Sequence, residues 1–285
     1  VALVATLAAI LATQNLALIA DAELFVSDWE IAALSPPEAQ DPDIVVVAVT
    51  EDTLAQFAYR SPVDRAFLAN LLTTIASRHP RAIGIDFLFD QPTEPAKDAL
   101  LKKTLRELKT PLVVSYSDDP RIVTPLQSAT LESFVPERLR AYATLSEDQR
   151  DVVRWIYPGA KAHDGHYILS FARALAAKVG IETQPRRIPI VWHGKPASGD
   201  PAFREFPAQI FSILPASWFR NKIVLIGEDV SLTDRHRTPF DAIDPVPMAG
   251  IVVQAHSLSQ LLHGRYSPDA SWLINLLIAF VCAAV

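Results

Sequence analysis

Four apolar runs punctuate the chain. Ile44–Val49 is apolar at every position, and Ile83–Phe89 is interrupted only by Asp86. Pro111–Tyr116 and Asn221–Gly227 supply two more. Short apolar runs bounded by turn residues read as strands buried on both faces. Between the first three lie two stretches of helical period. Val63, Phe67, Leu71 and Ile75 fall on one face of the first, and Leu101, Leu105 and Leu108 on one face of the second. The order is βαβαβ, which predicts right-handed crossovers and a parallel sheet with 83–89 at its middle.

Local signals place the helix ends. Ser61-Pro62-Val63-Asp64 and Thr93-Glu94-Pro95 are helix starts. From about 118 to 165 the pattern fails, punctuated by Pro120, Pro125, Pro136 and Pro158-Gly159. An inserted irregular segment with short helices is expected there. Helical period returns over 166–179, a strand is predicted over 187–192, and a short helix over 206–219. A last helix runs from about 250 to 263, closed by His263-Gly264. The fold class expected is α/β: a mostly parallel sheet with flanking helices and the insertion.

The ends differ from the middle. Residues 1–20 and 271–285 contain no charge. A membrane-spanning helix needs about 20 apolar residues. The first stretch meets that, and the second reads as the start of another span. The rival readings for 1–20 are a signal peptide, since Ala20-Asp21-Ala22 resembles a cleavage site, and a buried core helix. The expected organisation is a transmembrane helix at 1–20, a linker at 21–42, an α/β domain at 43–268 held between transmembrane helices, and a second span from 271. Asp21, Glu23, Asp28, Glu30 and Asp269 flank the spans, with only Arg265 as a nearby cation. Cytoplasmic flanks favour Lys and Arg, so the domain is expected on the periplasmic side of an inner membrane. The single cysteine, Cys282, allows no disulfide within the chain.

The chemistry is sparse. A net charge of −6 argues against nucleic acid as a partner. No G-x-G-x-x-G, Walker or G-x-S-x-G motif occurs, so neither a nucleotide cofactor nor an acyl-transfer enzyme is expected. His163 and His166 lack further ligands nearby and read as exposed polar residues rather than a zinc site. Acids cluster where the strands end: Glu51 and Asp52, Asp86 and Asp90, Asp118 and Asp119, Glu228 and Asp229, then Asp234. In a parallel sheet these gather along one edge. They could hold a hard cation, or a cationic or hydroxylated ligand. The alternative is a solvated acidic rim relieved by Arg65, Arg235 and Arg237. Asp86 itself is either part of such a site or hydrogen-bonded to a neighbouring loop. The candidate ligand-binding residues are Asp52, Arg65, Asp86, Asp234 and Arg237, with Asp86, Asp234 and Arg237 expected close together.

The chain resembles the CHASE2 domains. The likeness rests on Ile44–Thr50, Ser61-Pro-Val-Asp-Arg65, Ala82-Ile-Gly-Ile-Asp-Phe-Leu-Phe89 and Lys222-Ile-Val-Leu-Ile-Gly227. It continues through Asp234-x-x-x-Thr238-Pro239, Met248-Ala-Gly-Ile-Val-Val-Gln-Ala-His256 and Leu262-His-Gly264. Tyr59-Arg60-Ser61-Pro62 stands where the family often has a Trp-Pro approach to the helix. The resemblance implies an extracytoplasmic sensory module of a bacterial signalling protein, with spans leading to a cyclase or kinase output. It carries over no ligand. The function expected is sensing of a small molecule, or of a periplasmic or membrane protein partner, transmitted through the flanking helices. The alternative is a non-sensing structural or assembly subunit of a membrane complex. A homo-oligomer is compatible with either.

Overall fold

The computed structural model describes residues 17–231 and 233–266, with side chains from residue 21. Helix α1 (Ala17–Leu34) leads to β1 (Ile44–Thr50), a one-turn α2 (Glu51–Leu54), α3 (Arg65–Ala76) and β2 (Ala82–Asp86). Next come α4 (Pro95–Glu107), β3 (Leu112–Tyr116), α5 (Pro125–Phe134) and β4 (Arg140–Tyr142). A run of short strands follows: β5 (Ser146–Glu147), β6 (Val153–Ile156), β7 (Gly159–Lys161) and β8 (Tyr167–Leu169). Then come α6 (Phe171–Lys178), β9 (Ile188–Pro189), β10 (Arg204–Pro207) and β11 (Ile223–Asp229). The chain closes with β12 (Arg235–His236), β13 (Met248–Ala249) and α7 (Gly250–His263).

Six strands form one sheet in the order β10-β1-β11-β2-β3-β4, every pair parallel. The expected βαβαβ unit is present, and β2 lies inside the sheet between β11 and β3. Alternation along the strands divides two cores. Val45, Val47, Val49, Ile83 and Ile85 pack with α3 and α4. Ile44, Val46, Ala82 and Leu225 pack with α6 and α7 on the other face. A strand covered on both sides has no polar face, which is why β1 is apolar from Ile44 to Val49.

Two glycines let the second helical layer close down. A β-carbon at Gly84 would lie 2.7 Å from Phe171 Cζ and 2.8 Å from Leu175 Cδ1 of α6. At Gly227 it would lie 2.6 Å from Ile251 Cβ of α7. Here glycine serves close approach, not a special dihedral angle.

Several boundaries differ from expectation. β2 ends at Asp86; Phe87 and Phe89 leave the sheet, and Phe89 stacks on Phe134 of α5, centroids 5.0 Å apart. Helix α3 starts at Arg65 because Asp64, not Ser61, supplies the cap: its Oδ1 accepts the Phe67 amide at 2.9 Å. The region 118–165 is not irregular throughout. It contributes α5, the edge strand β4, the strands β5 and β6 that join β9 in a small sheet, and β7, which pairs with β8. The segment 206–219 forms β10's end and short 3-10 turns, since Pro207 and Pro215 interrupt any α-helix.

The expected linker is half helical, because α1 runs to Leu34. Asp28, buried on this helix, pairs with both Arg154 and Arg150, and Asp148 shares Arg154 through Nε at 2.6 Å. The expected spans lie outside the described residues, apart from the backbone of Ala17–Ala20. Among the described residues no helix is long and apolar enough to cross a membrane.

The incoming and outgoing segments meet at the amino end of the sheet. Asp41, fully buried, accepts the Asp43 and Ile44 amides through Oδ1 and the Ser259 hydroxyl of α7 through Oδ2 at 2.5 Å. His263 Nε2 lies 3.4 Å from Asp43, and Arg265 Nη1 lies 3.3 Å from Glu38.

This packing predicts that Gly227→Ala costs about 1–3 kcal/mol and lowers the melting temperature by about 3–10 °C, because the displaced atom is a helix side-chain root rather than a flexible tip. Ile85→Asp should abolish folding, since an unpaired buried carboxylate costs about as much as a domain's whole margin. Circular-dichroism melts check both; a parent-like melt of the Ile85 variant would remove β2 from the core.

Candidate functional site

The parallel register collects acids at one edge. Asp86 is the last residue of β2 and lies opposite Gly227 of β11. Glu228, next along β11, lies opposite Val49. The chain then turns at Asp234, whose φ of 51° is left-handed, and returns through the antiparallel β12–β13 ribbon. The Asp234 carbonyl accepts the Gly250 amide at 2.9 Å. Its carboxylate sits against the first turn of α7, where a β-carbon at Gly250 would come within 2.5 Å of it. The positive end of a helix suits that charge.

Two adjoining hollows, of about 320 and 550 Å3, open at this edge and share Asp86, Leu88, Ala143 and Asp234. The first is also lined by Arg65, Asp90 and Glu228, the second by Ser117, Glu147, His236 and Gln254. Asp86 Oδ1 accepts the Ser115 hydroxyl of β3 at 2.5 Å. His236 bridges two acids, with Nε2 3.0 Å from Asp234 and Nδ1 3.2 Å from Glu147. A neutral imidazole donates only one hydrogen, so this bracket favours the charged ring.

The electrostatics follow from burial. Desolvation, reinforced by the Asp234 charge, pushes Asp86 up to about 7 despite the Ser115 hydrogen bond. Burial also raises Glu228, against the hydrogen bond that Thr233 donates at 3.0 Å. For His236 burial pulls downward, but the hydrogen bonds and charges of Asp234 and Glu147 prevail and the net shift is upward. At Asp86 the cleft therefore holds an exchangeable proton near neutral pH, which a cation can replace.

Three of the five expected residues converge. Asp86 and Asp234 share both hollows, and Arg65 lines the first. Arg65 is fully buried, its guanidinium 4.6 Å over the Phe89 ring and its Nη2 3.5 Å from the Gln91 carbonyl. Asp52 and Arg237 do not join them. Asp52 is exposed in the first turn of α2. Arg237 points away from Asp86: Nη1 reaches the Arg150 carbonyl at 3.1 Å and Nε lies 3.8 Å from Asp241.

The reason is strand alternation. Residues 234 and 236 share one side of the ribbon, and 235 and 237 the other. The cation beside Asp234 is His236, not Arg237. Arg235 is taken by Asp229 at 2.6 Å. Sequence reasoning missed His236, Glu147 and Ser115. The first was legible from the period of two through Asp234-x-His236. Glu147 arrives from the short-strand segment and carries no local signal. His163 and His166 lie between β7 and β8 and line neither hollow of the cleft.

Asp41, Asp43 and His263 each offer a ligand atom within 4.8 Å of the others. Both Asp41 oxygens are already engaged by two amides and Ser259. This set is a junction between chain segments.

A pH dependence follows. An unfolded Asp titrates near 3.9, whereas folded Asp86 titrates at about 7. Between these values the native state keeps a proton that the unfolded chain has released. This contribution to stability is therefore lost as pH rises from about 4 to about 7. His236, also raised, loses its contribution as pH rises through its folded value. Asp86→Asn should flatten the decline, gaining about 1–3 kcal/mol over the parent at pH 8 and nothing near pH 4. Urea melts across that range give the answer, and parallel curves for the two proteins would place the titration elsewhere.

No curated protein and no solved structure matches the chain. The family model described as the CHASE2 domain matches residues 2–285, essentially the whole length, in agreement with the strand and loop motifs of the cleft. CHASE2 is an extracellular sensory domain family, and this chain belongs to it.

Proposed function

We propose that the chain is the extracytoplasmic sensory module of a bacterial membrane signalling protein, and that the acidic cleft is where its stimulus binds. The observation that carries this reading is the seat of Asp234. One carboxylate closes the cleft through His236 and also packs on the first turn of α7. Helix α7 then runs 14 residues, about 21 Å, to the junction with Asp41. A ligand that competes for Asp234 alters the charge at one end of a helix whose other end holds the incoming and outgoing segments. Two states differing in Asp234 contacts would have the differential affinity that signalling requires.

The ligand class follows from the lining. Asp86, Glu228 and Asp234 outnumber the cations facing them, and Arg65 is already stacked on Phe89. The cleft suits a metal cation, an amine or a polyhydroxylated molecule. The lack of Lys and Arg across residues 21–30 supports a periplasmic placement. The domain is anchored in the inner membrane on this reading, and its non-catalytic character accords with the family.

Calcium and putrescine are suitable probes. Either should slow amide exchange in the first turn of α7 and alter exchange at Glu38–Asp43, and Asp234→Asn should remove both effects. Exchange changes confined to the cleft would break the link to the junction. For topology, a reporter active only in the periplasm, inserted at the exposed Asp164-Gly165 turn, should give signal. Activity from a cytoplasm-only reporter there would overturn the placement.

A further inference from the structure

A separate hollow of about 510 Å3 shares no lining residue with the acidic cleft. That size falls in the range of small-molecule sites. One wall is the end of α1 and the residue after it, through Ala32 and Ser35, and another is α7, through Val252 and His256. Phe240 and Met248 make further walls apolar, and Glu205 of β10 supplies a carboxyl.

Two polar groups face this space without partners. His256 is 2% exposed. Its Nδ1 accepts the His193 amide at 3.1 Å, which places the ring hydrogen on Nε2. Burial, helped by the charges of His193, Arg265 and Lys195, drives its pKa down to about 3, so the ring is neutral. Nε2–H has no partner among the described residues and is not sealed in the packing, so it is a donor offered to the hollow. The ring is held edge-on between Trp192 and Phe203, with centroids 5.1 and 4.8 Å away.

Glu205 likewise lacks a hydrogen-bond partner among the described residues. Burial and the nearby Asp229 push its carboxyl up to about 7, against Arg235 and Lys195. Arg235 is committed to Asp229 at 2.6 Å and to the Val230 carbonyl at 2.8 Å. Glu205, Asp229 and Asp244 face Lys195 and Arg235 in this hollow, so both signs of charge line it and the acid excess is smaller than in the cleft. A net cation would meet Arg235 and Lys195, and a net anion Asp229 and Glu205.

We propose that this hollow is a second ligand site, taking an uncharged, largely apolar organic molecule with a carbonyl or ring nitrogen for His256 Nε2–H and a hydroxyl for Glu205. The reading is independent of the acidic cleft. Such a molecule would touch α1 and α7 together, and so bridge the helices that begin and end the described chain.

The test uses 4-hydroxyacetophenone, which carries a ketone and a phenol, on the whole chain in lipid nanodiscs without competing detergent. Saturation-transfer NMR should show saturable binding, and histidine-selective 15N labelling should show His256 Nε2 shifting with the same affinity. Val252→Trp fills the hollow and should weaken binding by at least about tenfold. Asp86→Asn, in the cleft, should leave it within about twofold. Undiminished binding by a folded Val252→Trp chain overturns the proposal. Should that variant fail to fold, the parent decides: no saturable shift at His256 Nε2 overturns it equally. Tighter binding of benzoate or benzylamine than of the neutral probe overturns the ligand class.

Discussion

The parallel pairing of β11 between β1 and β2 is the constraint on which everything else rests. Strands that run the same way end at the same edge, and this register sets Asp86 beside Gly227 with Glu228 one step beyond. The same pairing aligns Gly84 with Leu225 and so arranges the flat ground on which α6 and α7 settle. Acids drawn together by backbone geometry must be relieved. Hydration is reduced for Asp86 and Glu228, and Arg65 is engaged elsewhere, by the Phe89 ring, the Gln91 carbonyl and Asp98 at 4.0 Å. Bound protons are the remaining means, which is why burial and mutual repulsion lift the acids, while the hydrogen bonds and charges of Asp234 and Glu147 lift His236.

Much of this was legible in the chain. The doubly buried strands announced themselves through Ile44–Val49 and Ile223–Ile226, because a strand covered on both sides has no reason to alternate. Helix α7 was readable to the residue from its period and the Gly264 stop, which takes the left-handed conformation at φ 60°. The edge strand β4 was hidden, because Arg140–Tyr142 is three residues long and stabilised by its neighbour β3 rather than by its own composition. The helix expected over 206–219 failed for a local reason, its prolines.

The candidate site's geometry was half legible. Asp86 and Asp234 were found by position alone, since a polar residue ending a buried strand and a loop leaving its neighbour must come together. Arg237 was chosen by charge and failed on geometry. In a two-residue strand, facing is decided by parity, and parity favours His236. Glu147 comes from 89 residues away in sequence to meet that ring. No local pattern encodes such a meeting; it exists only once the β5–β6 segment has folded against the ribbon.

The junction at Asp41 has a mechanical consequence. Glu38, Asp41 and Asp43 grip Arg265, Ser259 and His263, so the threads leading into and out of the domain are fastened side by side. On the proposed reading, in which both threads are anchored, a body held at two adjacent points cannot be stretched between them like a spring. The work open to it is torsional: it can twist one thread about the other, or splay the pair. The natural coordinate of such a module is an angle rather than a length.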